Sequence, residues 1–206
     1  MLDFSNSKIL IVGDVMLDKY YFGKVDRISP EAPVPIVNIQ KEESRLGGAS
    51  NVANNIVSLG GHSLLCGVIG HDLFGKEIER ISRHKNIDTF LLKTSSPTIT
   101  KARIIGGKQQ IVRVDYEDKS ELNADNKKLF RDTISRILPE YDILVISDYG
   151  KGLISEDLCR YLIKLAHKYD KKVIIDPKGK NWEKYSGADI VTPNVKELSD
   201  IVGYTV

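Results

Sequence analysis

Four short apolar runs, each closed by an acidic or amide side chain, constrain this chain most. KILIVG (Lys8–Gly13) runs into Asp14, ILVIS (Ile143–Ser147) runs into Asp148, and KVIID (Lys172–Asp176) ends on Asp176 itself. The fourth, DIVT (189–192), leads through Pro193 to Asn194. Short β-branched runs that are apolar on both sides are the pattern of strands buried on both faces of a parallel sheet. Chains of this kind need a crossover between successive strands, so the intervening segments should be helices.

The intervening segments read that way. Helical patterns are expected over 52–59, closed by Gly60 and Gly61, over 72–84, and over 124–138, stopped at Pro139. Another spans 155–169, with Ser155, Glu156 and Asp157 at its mouth, and a last one begins at Val195–Val202. Further strands are expected at 64–69 and 87–92. This alternation predicts an α/β fold with a mostly parallel sheet and helices on both faces. Two segments break it. The stretch 19–44 carries Pro30, Pro33 and Pro35, and 98–117 reads as a hairpin, TITKARII, a glycine turn at Gly106 and Gly107, then QQIVRVDY. Neither can be a helix-covered central strand. A small antiparallel flap built from both, inserted into one α/β unit over 1–206, is the simplest assembly.

Composition narrows the functional classes. Over 206 residues, 41% hydrophobic and 28% charged, the chain can bury a sizeable core. Lys and Arg total 30 against 28 Asp and Glu, a balance of +2 that argues against an extended nucleic-acid surface. No apolar run approaches the roughly 18 residues of a membrane span. The opening MLDFSNSKILIVGD has no basic stretch before its apolar run, so no signal peptide is expected. Cys66 and Cys159 lie in apolar patterns without metal-ligand spacing and are expected as buried thiols. That usage fits a reducing compartment, and a cytoplasmic location is expected.

In an open parallel sheet, ligands bind outside the carboxyl ends of the strands. Asp14, Asp18, Asp148, Asp176, Asn194 and Glu197 are therefore expected around one crevice. Two strand ends add lysine and glycine: DYGKG with Lys151, and DPKG with Lys178. Lysine beside glycine-rich backbone suits a phosphate oxyanion, and aspartate suits sugar hydroxyls or hydrated Mg²⁺. The same residue types also make turns and cap helices, so each position taken singly admits a purely structural reading.

The stretch LGGASNVANN sharpens the question. Val52, Ala53, Ile56, Val57 and Leu59 share one helical face, with Asn51, Asn54 and Asn55 opposite. Gly47 and Gly48 would let a ligand approach backbone N–H groups at the helix mouth, where Asn51 sits in the first turn. The alternative is a Ser50 or Asn51 cap with a solvated asparagine face.

At these residues the chain resembles a known family. GGASNVANNIVSLGGHSLLCGVIGHDLFG is similar to the N-terminal signature of the ribokinase/pfkB sugar kinases. KILIVGDVMLDKYYFGKVDRISPEAPVPIV, TITKARIIGGKQQIVRVDYE, SDYGKG and DPKG resemble, within it, the bacterial D-glycero-β-D-manno-heptose 7-phosphate kinases, found as the kinase half of a bifunctional kinase/adenylyltransferase. The likeness runs from about Lys8 to Val202. It implies a ribokinase-like core with a β lid that commonly pairs with a second subunit's lid, giving a homodimer. It also implies transfer of the ATP γ-phosphate to the anomeric hydroxyl of the heptose 7-phosphate, with Mg²⁺, on the route to ADP-heptose for lipopolysaccharide core. Carried over by position, Asp14 and Asp18 would meet sugar hydroxyls, and Gly47, Gly48 and Asn51 would wall the sugar. Lys101 and Arg113 on the hairpin are the candidates for the substrate's own phosphate. Asp148 and Lys151 would line the crevice between sugar and nucleotide. Lys178 would reach ATP phosphates, and Asn194 with Glu197 match an N-x-x-E motif that organises Mg²⁺ and phosphate, Glu197 through water.

One part of the family pattern is missing. The glycine-rich G-A-G-D segment, which supplies an anion hole and the general-base aspartate, is not found; Gly187, Ala188 and Asp189 precede the strand DIVT and cannot serve. An H-x-G-H adenylyltransferase motif is likewise not found, since His62, His71, His84 and His167 stand alone. The base is thus expected beyond Val206. These 206 residues alone are expected to carry little kinase activity, and ending the sheet at DIVT is expected to leave an exposed edge. A kinase for another sugar or a nucleoside, and a non-catalytic sugar-phosphate-binding module, are the competing expectations.

Overall fold

The computed structural model describes residues 3–204. Its strands are β1 (Lys8–Gly13), β2 (Val15–Ile28), β3 (Pro35–Gly48), β4 (His62–Gly70), β5 (Asp88–Thr94), β6 (Thr100–Gly106), β7 (Gln109–Tyr116), β8 (Ile143–Ser147), β9 (Lys172–Asp176) and β10 (Ile190–Val191). The helices are α1 (Ala49–Ser58), α2 (Leu73–His84), α3 (Ala124–Ile137), α4 (Glu156–Lys168) and α5 (Val195–Val202). A main sheet in the order β10-β9-β8-β1-β4-β5 pairs parallel throughout. Successive residues of β1 serve opposite faces. Leu10 and Val12 join Phe130, Ile134 and Leu162 of α3 and α4, while Ile11 joins Ala53 and Ile78 of α1 and α2. Helices therefore cover both faces, as the two-sided apolar runs predict. Each fully buried Leu or Ile side chain there contributes about 1.5–3 kcal/mol.

The second sheet has the order β3-β2-β6-β7. It differs from the expected flap in two ways. First, it is mixed: β2 with β3 and β6 with β7 are antiparallel, but β2 with β6 is parallel. No hairpin ties β2 to β6, because α1, β4, α2 and β5 intervene, so nothing local forces an antiparallel pair. Second, β2 and β3 are 14 residues each and root deeper than 19–44. Val15, Leu17 and Leu46 are buried with the α1–α2 cluster, so the sheet grows directly out of the core. Asp18 consequently lies within β2, not in a turn after β1. Asp72 braces the root of β6. It caps α2 by accepting from Gly75 N at 2.8 Å, and its other oxygen accepts from Thr98 N at 2.8 Å.

Helix α1 starts at Ala49, three residues earlier than the pattern 52–59 suggests. Gly48 adopts φ 54°, and this left-handed turn leads straight from β3 into the helix. Neither Ser50 nor Asn51 caps it: the cap position is Gly48, and the buried Ser50 hydroxyl donates back to Gly47 O at 2.6 Å. Leu59, expected on the apolar face, is exposed, because α1 ends at Ser58 before its turn reaches the core. At the other end of the main sheet, β10 is a short edge strand and α5 buries no residue completely.

Candidate functional site

A cleft of about 700 Å³ opens between the second sheet, the mouth of α1 and the loop after β8. One face of β2 contributes Met16, Asp18 and Tyr20, since alternate strand residues share a side. In register with them stand Arg45 on β3, opposite Asp18, and Lys101 and Arg103 on β6, beside Asp18 and Tyr20. Gly47, Gly48, Asn51 and Asn54 form the α1 wall, and Tyr149 closes the third side. Of the sequence candidates, this cleft brings together Asp18, Gly47, Gly48, Asn51 and Lys101.

The glycine at 47 has a definite cause. A Cβ there would sit 2.4 Å from Asp18 Oδ2, so the bare Cα is what lets that carboxylate lie against the helix mouth. The other oxygen, Oδ1, accepts from Arg103 Nη1 at 2.6 Å. This partner raises the Arg103 guanidinium above its ordinary value, over the opposing effect of partial burial.

Asp14 lies elsewhere. Its carboxylate is buried and accepts from three backbone N–H groups of the β8 loop, Tyr149 at 2.8 Å, Lys151 at 3.2 Å and Leu153 at 3.4 Å. Burial pushes this carboxyl up against the pull of those bonds, with nearby Asp148 adding to the rise. Asp14 thereby fixes Tyr149 at the cleft edge. Asp148 is also buried: Oδ1 accepts from Gly150 N at 2.7 Å, while Oδ2 accepts from the Tyr185 hydroxyl and from Lys184 Nζ. Lys151 turns away and pairs with Glu117, just past β7. It borders, with Asp14, Ser96, Asp118 and Asn123, a separate cavity of about 220 Å³. Arg113 is on the same side of the second sheet as Arg103 but one strand farther out, and forks onto Asp115 at 2.8 and 3.0 Å.

The remaining candidates gather past β9 and β10. Asn194 and Glu197 form a reciprocal capping box at the start of α5, with Asn194 Oδ1 accepting from Glu197 N at 2.9 Å. Glu197 also pairs with Lys178 Nζ at 2.8 Å. The Glu197 carboxyl falls below its usual range: burial opposes this, and the Lys178 ammonium and Asn194 N–H outweigh burial. The Asp176 carboxyl, half-buried beside them, is raised by burial and then by the Glu197 charge. Among the described residues no three His, Cys, Asp or Glu side chains converge to hold a metal unaided. Both cysteines are buried and free, and burial pushes the Cys159 thiol up to about 12.

The profile of the pfkB family carbohydrate kinases matches residues 6–205. The chain belongs to that family. Among curated proteins, Bifunctional protein HldE of Helicobacter pylori (strain P12) is 48% identical over 193 residues, 93% of this chain and 42% of that protein. The D-beta-D-heptose 7-phosphate kinase of Bordetella bronchiseptica is 44% identical over 200 residues, 97% of this chain and 63% of that protein. The chain thus spans roughly half the length of the curated relatives it matches. Among solved structures, the tetrameric inhibited form of phosphofructokinase-2 from Escherichia coli matches with TM-score 0.71 at 20% identity, covering 96% of this chain and 64% of that one. A carbohydrate kinase from Agrobacterium tumefaciens matches with TM-score 0.71 at 17% identity, covering 96% and 64%. These two establish the ribokinase-like fold.

The sequence reading missed Tyr20, Arg45, Arg103, Lys184 and Tyr185. The first three were findable in part: Asp18 and Tyr20 alternate onto one side, as do Lys101 and Arg103. What brings Arg45 and Arg103 to that side is strand register across a sheet of distant segments, which alternation within one strand does not specify. Lys184 and Tyr185 sit in a short 3₁₀ turn, Glu183–Tyr185, with no motif around it.

Proposed function

We propose that this chain carries the sugar-binding part of a heptose 7-phosphate kinase, which transfers the ATP γ-phosphate to the anomeric hydroxyl to give the 1,7-bisphosphate. The observation that carries the reading is the cleft, where Asp18, Gly47 and Asn51 present oxygen, bare backbone and amide to one volume lined with cations. Asp18 Oδ2 and the Asn51 amide accept from and donate to sugar hydroxyls. Asp14 and Asp148 act by holding the β8 loop in place, and Tyr149 on that loop borders the sugar. Lys178 neutralises nucleotide phosphates. Phosphoryl transfer asks mainly for positioning and charge neutralisation, and these residues supply the sugar side of both.

The Asp176 and Glu197 carboxylates past β9 would hold Mg²⁺ through water: burial and the neighbouring Glu197 charge raise the Asp176 carboxyl, and a cation there would offset that repulsion. Such an ion supplies charge neutralisation between nucleotide phosphates. In the transfer, the bond from γ-phosphorus to the β-bridging oxygen breaks as one to the anomeric oxygen forms. The reading places the acceptor of the anomeric proton outside residues 1–206. It also places the reaction in the cytoplasm, on the route to ADP-heptose, and pairs two copies through the second sheet, whose outer strand exposes Val112, Val114 and Tyr116. Among the described residues no helix is long and apolar enough to cross a membrane.

The test is calorimetric titration of the chain with D-glycero-β-D-manno-heptose 7-phosphate, fructose 6-phosphate and ribose. Selective binding of the heptose phosphate is expected. Equal or stronger binding of fructose 6-phosphate or ribose would transfer the chain to another sugar kinase of the family, and no binding of any would remove the reading.

A further inference from the structure

The short turn Glu183–Tyr185, entered through Trp182, reaches both the loop after β8 and the loop after β9. Pairing in the main sheet holds these loops together only as far as Asp148 and Asp176, where Asp148 N donates to Asp176 O at 3.0 Å. Beyond that rung the loops part, and among the described residues the hydrogen bonds that span them run through this turn. Trp182 Nε1 donates to Gly179 O at 3.1 Å, and Lys184 Nζ donates to Asp148 Oδ2 and, at 3.4 Å, to Ile154 O. The Tyr185 hydroxyl stands between them. It accepts from Lys178 N at 2.9 Å, and its own proton has an acceptor on each loop, Asp148 Oδ2 at 2.7 Å and Lys178 O at 3.1 Å. The residues on these loops that face ligand are next to the bonded atoms or are the same residues. Tyr149, adjacent to Asp148, borders the cleft, and Lys178 sends its half-exposed ammonium to Glu197 at 2.8 Å. Tyr185 itself is 3% exposed and does not line the cleft.

We infer that Tyr185 is a positioning residue for Lys178: through Asp148 it ties that lysine to Tyr149, so that a sugar seated against Tyr149 sets Lys178 for the phosphates of the second ligand. The inference rests on the proposed function and deepens it by adding a coupling between the two halves of the site. A hydroxyl whose one proton can go to either loop is an element with two arrangements, and a ligand shifts such an element only by favouring one of them. A sugar packed on Tyr149 holds the β8 loop still and keeps Asp148 Oδ2 beside the hydroxyl. The proton then stays with Asp148, and the oxygen's lone pairs remain for the Lys178 N–H. Buried hydrogen bonds linked in series in this way strengthen one another, so the β9 loop is ordered by what happens on the β8 loop.

The test follows the full chain by amide NMR during titration with heptose 7-phosphate, and by calorimetry with magnesium tripolyphosphate as the phosphate-side probe. In wild type the Tyr149 and Lys178 N–H signals should move together with one midpoint. Saturating heptose 7-phosphate should tighten tripolyphosphate about 5-fold or more, the lower end of ordinary coupling between two sites. Tyr185→Phe should leave the Tyr149 shift and the affinity for each ligand alone nearly unchanged, while the Lys178 shift and the tightening disappear. A merely structural loss would instead weaken each ligand taken alone and leave the tightening as it was. Trp182→Phe removes only the bond to Gly179 O, should lower the tightening in part, and stands in for Tyr185→Phe if that variant does not fold. Tightening that survives in Tyr185→Phe, or in Trp182→Phe where it stands in, overturns the coupling and leaves the kinase reading standing. So does a wild type that binds the sugar while its Lys178 signal stays still, or that binds tripolyphosphate no better with sugar present or not at all. No Tyr149 shift and no heptose 7-phosphate binding in wild type removes the kinase reading, and the coupling with it.

Discussion

The Tyr185 hydroxyl donates to Asp148 Oδ2 at 2.7 Å and accepts from Lys178 N at 2.9 Å. One oxygen atom thus joins the loop after β8 to the loop after β9, the two strand ends that carry DYGKG and DPKG. Tyr185→Phe keeps the ring and deletes that link, leaving a charged acceptor and a backbone donor short of a partner. We expect a loss of about 1–3 kcal/mol in urea unfolding, with no change in the slope. Unchanged stability would mean that the two loops are held independently.

Lys184 bears on the same carboxylate. Asp148 is 1% exposed at its side chain and Lys184 16%, so the pair is largely out of water. Removing one partner of such a pair leaves a charge with no compensation. Lys184→Met should therefore cost about 3–5 kcal/mol, more than Tyr185→Phe, and the companion Asp148→Asn should restore part of it. Equal unfolding midpoints for Lys184→Met and wild type would contradict the pair's role.

Two glycines with positive φ separate strain from crowding. Gly107, φ 63°, has open space where a Cβ would go, whereas at Gly48, φ 54°, that atom would lie 2.4 Å from Asp14 O. Gly107→Ala should cost about 1–2 kcal/mol, the left-handed penalty alone. Gly48→Ala adds overpacking at the helix mouth and should cost about 2–5 kcal/mol. Thermal melts of the two variants side by side check the order.

Asp189 gives the acid limb of stability. Its carboxyl is lowered from 3.8 to about 2, by Lys172 Nζ first and then by the Val173 N–H. A folded value below the unfolded one means that the contribution is complete above pH 3.8 and disappears as pH falls toward 2. Wild type should therefore lose melting temperature across that window more steeply than Asp189→Asn. Parallel pH profiles would show that this contact does not differ between the folded and unfolded chains.

Much of the main sheet was legible because its information is local. KILIVG, ILVIS and KVIID are apolar on both sides and short, so few arrangements other than buried parallel strands accept them. The second sheet was legible only as a departure from alternation. Its parallel β2–β6 pair joins Leu17 to Thr100 in register, a relation of residues distant in sequence that no turn encodes. The site divided the same way. Gly47, Gly48 and Asn51 announce themselves by being poor helix residues at a helix start. Arg103 and Arg45 look like ordinary solvated strand residues until register sets them around Tyr20. Asp14 and Asp148 are expected from sequence to meet the ligand, yet both are buried and accept from backbone N–H groups of the β8 loop; sequence alone does not distinguish a carboxylate facing a ligand from one accepting backbone N–H groups beneath it.

The central claim is that the second sheet, the α1 mouth and the β8 loop enclose one volume that takes a phosphorylated heptose. Hydrogen exchange of the chain with and without heptose 7-phosphate tests it most directly. Slowed exchange should appear together in 16–20, 45–51 and 101–103 and at Tyr149, which border the cleft from the second sheet, the α1 mouth and the β8 loop. Slowing confined to 94–99 and 118–126, around the smaller cavity, would contradict it.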